Sequence, residues 1–278
     1  MRTVPYPILK WPGGKARMIK HIAPLLPAKI ETYYEPFIGG AAVFFELAKQ
    51  KRFERAVIGD CNAELVNVYV VVKSDVDALI KELQTGNYIY KKTNYYRVRA
   101  LETGKLSKVE RAARIIYLNH TCFNGLYRVN LSGQFNVPFG KYKNPAICDE
   151  PNLRATAKIL EHVHILNSDF THTVSGATKG DVVYMDPPYI PVSDTSKFTA
   201  YNKTGFTEED HRRLATCFKQ LVGSGVCCIL SNSHAPLAIE LYGQYDMLKL
   251  MGSRVVGGPA SYRKPAKEII VTSNLATA

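Results

Sequence analysis

The residues Asp186-Pro187-Pro188-Tyr189 follow directly on Val182-Val183-Tyr184-Met185, an apolar run rich in residues that favour strands. The run reads as a buried strand. Proline has no N–H to give a ladder, so the strand must stop at Asp186. In an open α/β sheet, ligands sit in the crevice beyond the strand ends. Asp186 and Tyr189 therefore fall where chemistry is done, with an acid to accept hydrogen bonds and a ring to stack on a planar group. The plainer alternative is an acid and an aromatic that only close the strand with a tight turn.

Other strand ends carry similar residues. Thr32-Tyr33-Tyr34-Glu35-Pro36-Phe37-Ile38-Gly39-Gly40 reads as a strand and a glycine turn, followed by a helix to about Lys49. Glycine lets the backbone approach a ligand without Cβ obstruction. Ala56-Val57-Ile58-Gly59-Asp60 is a second short strand ending in an acid, about twenty residues beyond the turn, where such folds place a carboxylate on ribose hydroxyls. Asn62 can cap the next helix. Val163 to Phe170 is a strand ending in Asp169-Phe170, an acid and an aromatic that can hold a purine. Near the start, Trp11-Pro12-Gly13-Gly14-Lys15 forms a turn, with a helix expected over residues 16–26. It lacks the spacing of a Walker phosphate loop.

The 278 residues suit one large domain or a core with an insertion. A net charge of +12 favours a polyanionic partner such as nucleic acid. No run approaches membrane-spanning length and no signal pattern opens the chain. The six cysteines form no CxxC pair, which points to free thiols in a reducing cytosol and to no metal site. His162 and His164 share a strand face and read as structural.

From Ser74 to about His120 the pattern is helical. Lys91, Lys92, Arg97 and Arg99 alternate with Tyr88, Tyr90, Tyr95 and Tyr96, which suits phosphates or, more simply, a solvated helix with its tyrosines turned inward. Residues 122–130 and 133–142 read as two arms of a β-hairpin around Asn130-Leu131-Ser132-Gly133, and a two-stranded ribbon fits a DNA major groove. After the central tetrapeptide comes a polar segment from Pro191 to Gly205 that can close over a site. Residues 207–222 read as a helix capped by Thr207. Two further strands, at 226–230 and 247–251, precede a glycine-rich basic stretch, residues 252–265, and a last strand near 268–272.

Taken together, Leu9 to Lys15, Glu35 to Gly40, the hairpin from Asn124 to Tyr142, and Asp186 to Tyr189 resemble, in that order, the DNA adenine methylase (Dam) family. Phe198-Thr199-Ala200-Tyr201 and Arg263 to Glu268 fit as well, so the likeness spans nearly the whole chain. Its order resembles the α group of DNA amino-methyltransferases. The resemblance implies an α/β, Rossmann-like S-adenosylmethionine-dependent methyltransferase sheet. Residues 1–73 and 151–278 would form the catalytic domain, and residues 74–150 an inserted helical and β-hairpin DNA-recognition subdomain. The chain departs from the family at Ala41, where a glycine is usual, and within the hairpin at Tyr127, Val129 and Ser132.

The same resemblance assigns roles. Trp11, Lys15, Phe37, Gly39 and Gly40 would line the cofactor pocket, Asp60 would hold the ribose and Asp169-Phe170 the adenine of S-adenosylmethionine. Asp186 and the Pro187 carbonyl would bind the amine of a flipped base, with Pro188 shaping the turn and Tyr189 stacking on that base. In double-stranded DNA, Arg128 would read a guanine, Leu126 and Pro138 thymine methyls, and Lys10 a flanking base. Phe123 and Asn124 would hold the space left by the extruded base. Asn136 and Tyr142 would support that surface, and Lys141 would meet phosphate. The expected activity is adenine-N6 methylation within GATC by a monomeric cytoplasmic enzyme. Cytosine-N4 or RNA amino-methylation, or an inactive DNA-binding protein, remain as alternatives.

Overall fold

The computed structural model describes residues 4–191, 205–253 and 265–273. The segment expected to close over the site, Pro191 to Gly205, and the glycine-rich basic stretch, Gly252 to Pro265, lie largely outside these residues, as do Lys197, Phe198, Tyr201, Lys203, Arg254, Arg263 and Lys264. Seven strands are present among the described residues: β1 Thr32–Glu35, β2 Arg55–Asp60, β3 Val163–Asn167, β4 Val182–Met185, β5 Cys227–Ser233, β6 Asp246–Ser253 and β7 Pro265–Thr272. They form one mostly parallel sheet in the order β3-β2-β1-β4-β5-β7-β6. Strand β1 pairs in parallel with β2 on one side and β4 on the other, and β4 pairs in parallel with β5. Strand β7 enters antiparallel between β5 and β6.

Chain order reverses between β1 and β4, which makes their carboxyl ends the topological switch point where α/β sheets bind ligands. Glu35 ends β1, and Asp186 follows β4. All four residues of β4 are buried, as the unbroken apolar run implies for a central parallel strand.

The helices are α1 Ile19–Ile22, α2 Ala42–Lys49, α3 Ala63–Ser74, α4 Val76–Leu83, α5 Lys92–Arg99, α6 Lys108–Thr121, α7 Glu150–Leu160, α8 Phe170–Thr173, α9 Glu208–Gly223 and α10 Pro236–Tyr242. The chain divides into two compact units. One comprises residues 1–19, 39–51 and 59–167; the other comprises 20–38, 52–58 and 168–278. In the first, α3 and α4 pack on α6 and α7. Asn62 caps α3 by accepting from the N–H groups of Glu64 and Leu65, and Ser107 with Glu110 forms a capping box on α6. In the second, Val183, Met185, Leu230, Ile269 and Val271 of the sheet meet Leu214, Phe218 and Leu221 of α9 and Tyr242 of α10. Thr207 caps α9 with Asp210 as its box partner.

Two expectations change. Residues 16–26 do not form one helix. A 3-10 turn at Lys15–Arg17 and the short α1 come first, and Pro24, with no N–H to give, ends α1 in a second 3-10 turn at Ala23–Leu25. The hairpin is present as a turn-and-return path, but its arms are not regular strands. Only isolated bridges, Cys122 to Phe139 and Val129 to Phe135, join them. The cause is local: Phe123–Gly125 forms a 3-10 turn with Asn124 and Gly125 at φ of 55° and 62°. Meanwhile Tyr88 and Tyr95 are buried and Lys91, Lys92 and Arg97 are exposed, as expected of a solvated helix with inward tyrosines.

Candidate functional site

In the first unit, a cradle forms around the glycine turn. Gly39 lies at φ 45°, and a Cβ there would stand 2.9 Å from Trp11 Cδ1. At Gly40 a Cβ would meet the Leu9 carbonyl oxygen and Trp11 Cβ, each at 3.3 Å. The indole therefore lies directly on the turn, which only glycine permits. Ala41 continues it in the left-handed region, φ 59° and ψ 29°, ahead of α2. For a non-glycine residue that conformation costs roughly 1–2 kcal/mol. The Tyr69 hydroxyl donates to the Gly39 carbonyl at 2.8 Å. Lys15 is buried, and its ammonium donates to the Gly13 carbonyl at 2.6 Å.

Asp60 faces this turn from the end of β2. Its Oδ1 accepts from the Asn62 N–H at 2.9 Å, and its Oδ2 accepts a long bond from the Gly39 N–H at 3.3 Å. Burial pushes the carboxyl pKa up, against the opposing effect of these donors and of Cys61. Gly39→Ala is expected to lower thermal stability by roughly 1–2 kcal/mol through the left-handed backbone alone, with the displaced indole adding to it. Paired melting curves of variant and wild type check this.

In the second unit, Asp186 is half-buried beyond β4, with Pro187 buried and Pro188 exposed. The Tyr189 hydroxyl donates to Glu268 Oε2 at 3.1 Å. Burial first, then the charges of Asp186 and Glu268, hold Tyr189 far above the ordinary phenol range, so it is a neutral phenol at every working pH. The next residue is clamped to the end of β5: Asn232 Oδ1 accepts the Ile190 N–H at 3.0 Å, and the Ser233 hydroxyl donates to the Ile190 carbonyl at 2.5 Å. Beneath the strand tip, the Tyr33 hydroxyl donates to the buried Glu35 at 2.7 Å.

Asp169 caps α8 through Thr171 and pairs with Arg213 at 3.1 Å. Burial opposes it, but Thr171 and Arg213 together hold the Asp169 carboxyl below its usual range. Phe170 is only 4% exposed; its ring stacks on Phe37 at 5.6 Å, and the Arg213 guanidinium lies 5.1 Å above it. Phe170 is thus a core ring with little face left to offer a ligand.

The expected DNA-facing residues gather in the first unit. Arg128 is exposed and donates through Nε to Asn136 Oδ1 at 2.6 Å. The Lys10 ammonium lies 4.6 Å over the Tyr142 ring, and the Tyr142 hydroxyl donates to the Cys122 carbonyl at 2.9 Å. The Phe123 N–H donates to the Pro138 carbonyl at 2.8 Å, joining the two sides of the hairpin base. Phe123, Asn124, Pro138 and Lys141 are exposed, and Leu126 is half-buried. A Cβ at Gly125 would fall 2.5 Å from the Lys10 side chain, which packs the hairpin base on Lys10.

Residue-type reasoning passed over several of the groups that hold these sites. Asn119, buried on α6, accepts from the Lys10 N–H at 2.9 Å and donates to the Lys10 carbonyl at 2.8 Å and to the Gly125 carbonyl at 3.1 Å. One side chain thereby ties the N-terminal segment to the hairpin. Its signal was a lone amide closing the apolar run Ile115-Ile116-Tyr117-Leu118. Ser231-Asn232-Ser233, polar residues ending an apolar strand, carried a similar signal. Glu268 and Arg213 gave none, because both act across long sequence separations. Among the described residues, no group of three or more His, Cys, Asp or Glu is placed to hold a metal ion, and no helix is long and apolar enough to cross a membrane.

Known proteins resemble the chain along almost its full length. A type II methyltransferase, M1.LlaDCHI of Lactococcus lactis subsp. cremoris, is 46% identical over 273 residues, 96% of this chain and 95% of that one. A type II methyltransferase, M.MjaIII of Methanocaldococcus jannaschii, is 40% identical and covers 93% of this chain and 95% of its own. The DNA adenine methylase of Escherichia coli K12 is 32% identical, covering 94% and 93%. Residues 11–255 match the family described as D12 class N6 adenine-specific DNA methyltransferase. Of the chemistries left open by the tetrapeptide, this selects adenine in DNA over cytosine or RNA, and an enzyme over an inactive binder. The chain belongs to the D12 class of N6 adenine-specific DNA methyltransferases.

Proposed function

We propose that this methyltransferase moves a methyl group from S-adenosylmethionine to N6 of an adenine flipped out of duplex DNA, within the sequence GATC. The observation that carries the reading is Asp186, followed by a clamped Tyr189, at the switch point of a mostly parallel sheet.

The cradle residues fit the cofactor. A glycine turn with no Cβ, capped by an indole, suits close contact with a nucleoside. The 3.3 Å bond from Gly39 to Asp60 Oδ2 is at the weak end of the range, so that oxygen can take a better donor such as a ribose hydroxyl. Bound S-adenosylmethionine supplies a methyl group on a positively charged sulfur. Trp11, Gly39, Gly40 and Asp60 would hold it, with Lys15 keeping the preceding turn in shape. Phe37, Asp169 and Phe170, expected from the resemblance at the cofactor, are engaged with one another and with Arg213 in the second unit.

The chain's own residues then act on the base. An exocyclic amine is a poor nucleophile because its lone pair is delocalised into the ring. The Asp186 carboxylate and the Pro187 carbonyl accept its two hydrogens. As N6 becomes tetrahedral and positive, both acceptors bind it more tightly, which is stabilisation by preorganised groups. Tyr189 stacks on the extruded base, its ring fixed by Glu268 and by the Asn232 and Ser233 clamp on the next residue. Alignment supplies much of the remaining acceleration. The methylated nitrogen carries positive charge and is a strong acid, so it sheds its proton without a strong base.

Residues 74–150 act as the recognition insertion. Arg128 takes a guanine, Leu126 and Pro138 take thymine methyls, and Phe123 and Asn124 fill the vacated stack. Incubation of duplex DNA with labelled S-adenosylmethionine, nucleoside analysis and sequence mapping test the reading. N6-methyladenine confined to GATC is expected. Modification at another sequence overturns the site assignment.

Asp60 gives the cofactor site a pH dependence. In the free protein its carboxyl pKa is raised, whereas two ribose hydroxyls would favour the ionised form. Affinity is therefore full above the raised pKa and falls as pH drops through it. The fall begins above the usual aspartate value of about 3.9. Calorimetric titration with S-adenosylhomocysteine across pH checks this, and Asp60→Asn is expected to bind more weakly with a flatter profile.

A further inference from the structure

We propose that Tyr127 is a positioning residue that couples the cofactor cradle to the setting of the recognition hairpin. The proposal rests on the reading above, in which Trp11, Gly39 and Asp60 hold the cofactor and Arg128 reads the base.

Tyr127 belongs to the hairpin, but its ring leaves the hairpin for the cradle. It stacks on Trp11 with ring centroids 4.9 Å apart and planes 27° from parallel. Its hydroxyl faces the Asn62 amide, which opposes the rise of its pKa. It also meets Phe135, on the opposite arm, edge to face at 5.8 Å. Burial is the first cause raising its phenol pKa, so the group remains a neutral phenol.

Both cradle contacts are with groups that a bound cofactor would immobilise. Trp11 presses on Gly39, where a Cβ would stand 2.9 Å from its ring. Asn62 donates its N–H to Asp60 Oδ1 at 2.9 Å. A nucleoside packed on the Gly39 turn restrains Trp11, and one bound to Asp60 restrains Asn62. Tyr127 stacks on the first and faces the second.

The second arm is fixed separately, where the Tyr95 hydroxyl and Arg99 donate to the Val137 carbonyl at 2.8 and 3.1 Å, so Tyr127 is the first arm's tie to the cradle. The hairpin's arms share only isolated bridges. Beneath them lies an open cavity of about 520 Å³, lined by Tyr127, Val129 and Phe135 above and by Arg99, Glu102 and Gly104 below. The next residue, Arg128, is exposed and held to Asn136 at 2.6 Å. Ordering Tyr127 therefore sets the backbone from which Arg128 projects. Because coupling between two ligands is reciprocal, DNA engaged by the hairpin must tighten the cofactor by the factor with which the cofactor tightens DNA.

The test measures both halves of that cycle. A fluorescent duplex carrying the mapped methylation site is titrated with and without saturating S-adenosylhomocysteine, and S-adenosylhomocysteine is titrated with and without the duplex. In the wild type each ligand is expected to tighten the other by about 5-fold or more, by equal factors. Tyr127→Ala is expected to bind both ligands with the mutual effect reduced to less than about 2-fold, below the usual range of such coupling. Tyr127→Phe, which keeps the stack and loses only the hydroxyl, is expected to retain most of it. Should Tyr127→Ala melt below the assay temperature, Tyr127→Leu fills the space without a ring face and carries the same expectation.

Undiminished coupling in the folded Ala or Leu variant overturns the proposal. So does a wild type that binds both ligands independently. A wild type that fails to bind S-adenosylhomocysteine overturns the cofactor reading, and this proposal with it. A merely structural Tyr127 would lower both affinities together and leave their ratio unchanged.

Discussion

Asp186→Ala is expected to reduce methyl transfer by about 10²–10³-fold, the scale of removing one charge-stabilising group from an active site. The carboxylate would act where positive charge appears on N6, so its contribution grows along the reaction coordinate rather than in the ground state. The loss should therefore fall on kcat more than on KM. Asp186→Asn keeps the side-chain shape and one carbonyl oxygen but loses the charge, and is expected to fall between alanine and wild type. Duplex affinity should change little, because the expected groove and phosphate contacts, Arg128, Lys10 and Lys141, do not involve Asp186. Single-turnover transfer of labelled methyl groups, alongside equilibrium binding of the same duplex, separates these effects. Retention of more than about a tenth of wild-type kcat in Asp186→Ala would remove the carboxylate from the mechanism, since one such group supplies about 10²–10³-fold.

Arg128→Ala is expected to relax specificity at one guanine while leaving the chemical step intact. A bidentate arginine–guanine contact is worth about 1–3 kcal/mol of discrimination, a ratio of roughly 5- to 150-fold in kcat/KM between guanine and any other base. Asn136 accepts from Arg128 Nε at 2.6 Å, so a guanine would be read through the terminal nitrogens of the fork. One of them also reaches the Asn136 carbonyl, at 3.3 Å. Asn136→Ala should accordingly weaken the same discrimination less than Arg128→Ala does. Lys141→Ala provides the contrast: as a phosphate contact it should weaken all duplexes about equally and reduce the salt slope of binding by about one. Indifference of the wild type to the guanine would remove Arg128 from base reading.

The chemistry of the strand tip was legible because it is local. An apolar run stopped by two prolines fixes both the strand and its end, and Asp186 falls there by chain continuity alone. Glycines at 39 and 40, and Asp60 at the end of the second strand, were readable for the same reason. The residues that brace those groups were not. Glu268 meets Tyr189 from 79 residues away, and Asn119 meets Lys10 from 109 residues away. No periodicity or motif records such pairs.

The hairpin gives the clearest division. Alternating apolar and polar residues with a polar turn indicated two arms and a return, and the path is as expected. The sequence could not reveal that Asn124 and Gly125 turn the first arm out of extended geometry, nor that Tyr127 leaves the hairpin to stack on Trp11, 116 positions earlier in the chain. Phe170 shows the converse. As a residue type it suited stacking on a purine, but packing against Phe37 and beneath Arg213 has made it core.

By itself, then, the sequence determined which groups can do chemistry and which strand or turn carries each, since strand ends, caps and glycine turns depend on neighbours in the chain. The tertiary structure decided which of those groups stay exposed, which are committed to partners, and which side chains hold them in place. Those outcomes depend on desolvation and on contacts between segments that chain order does not bring together.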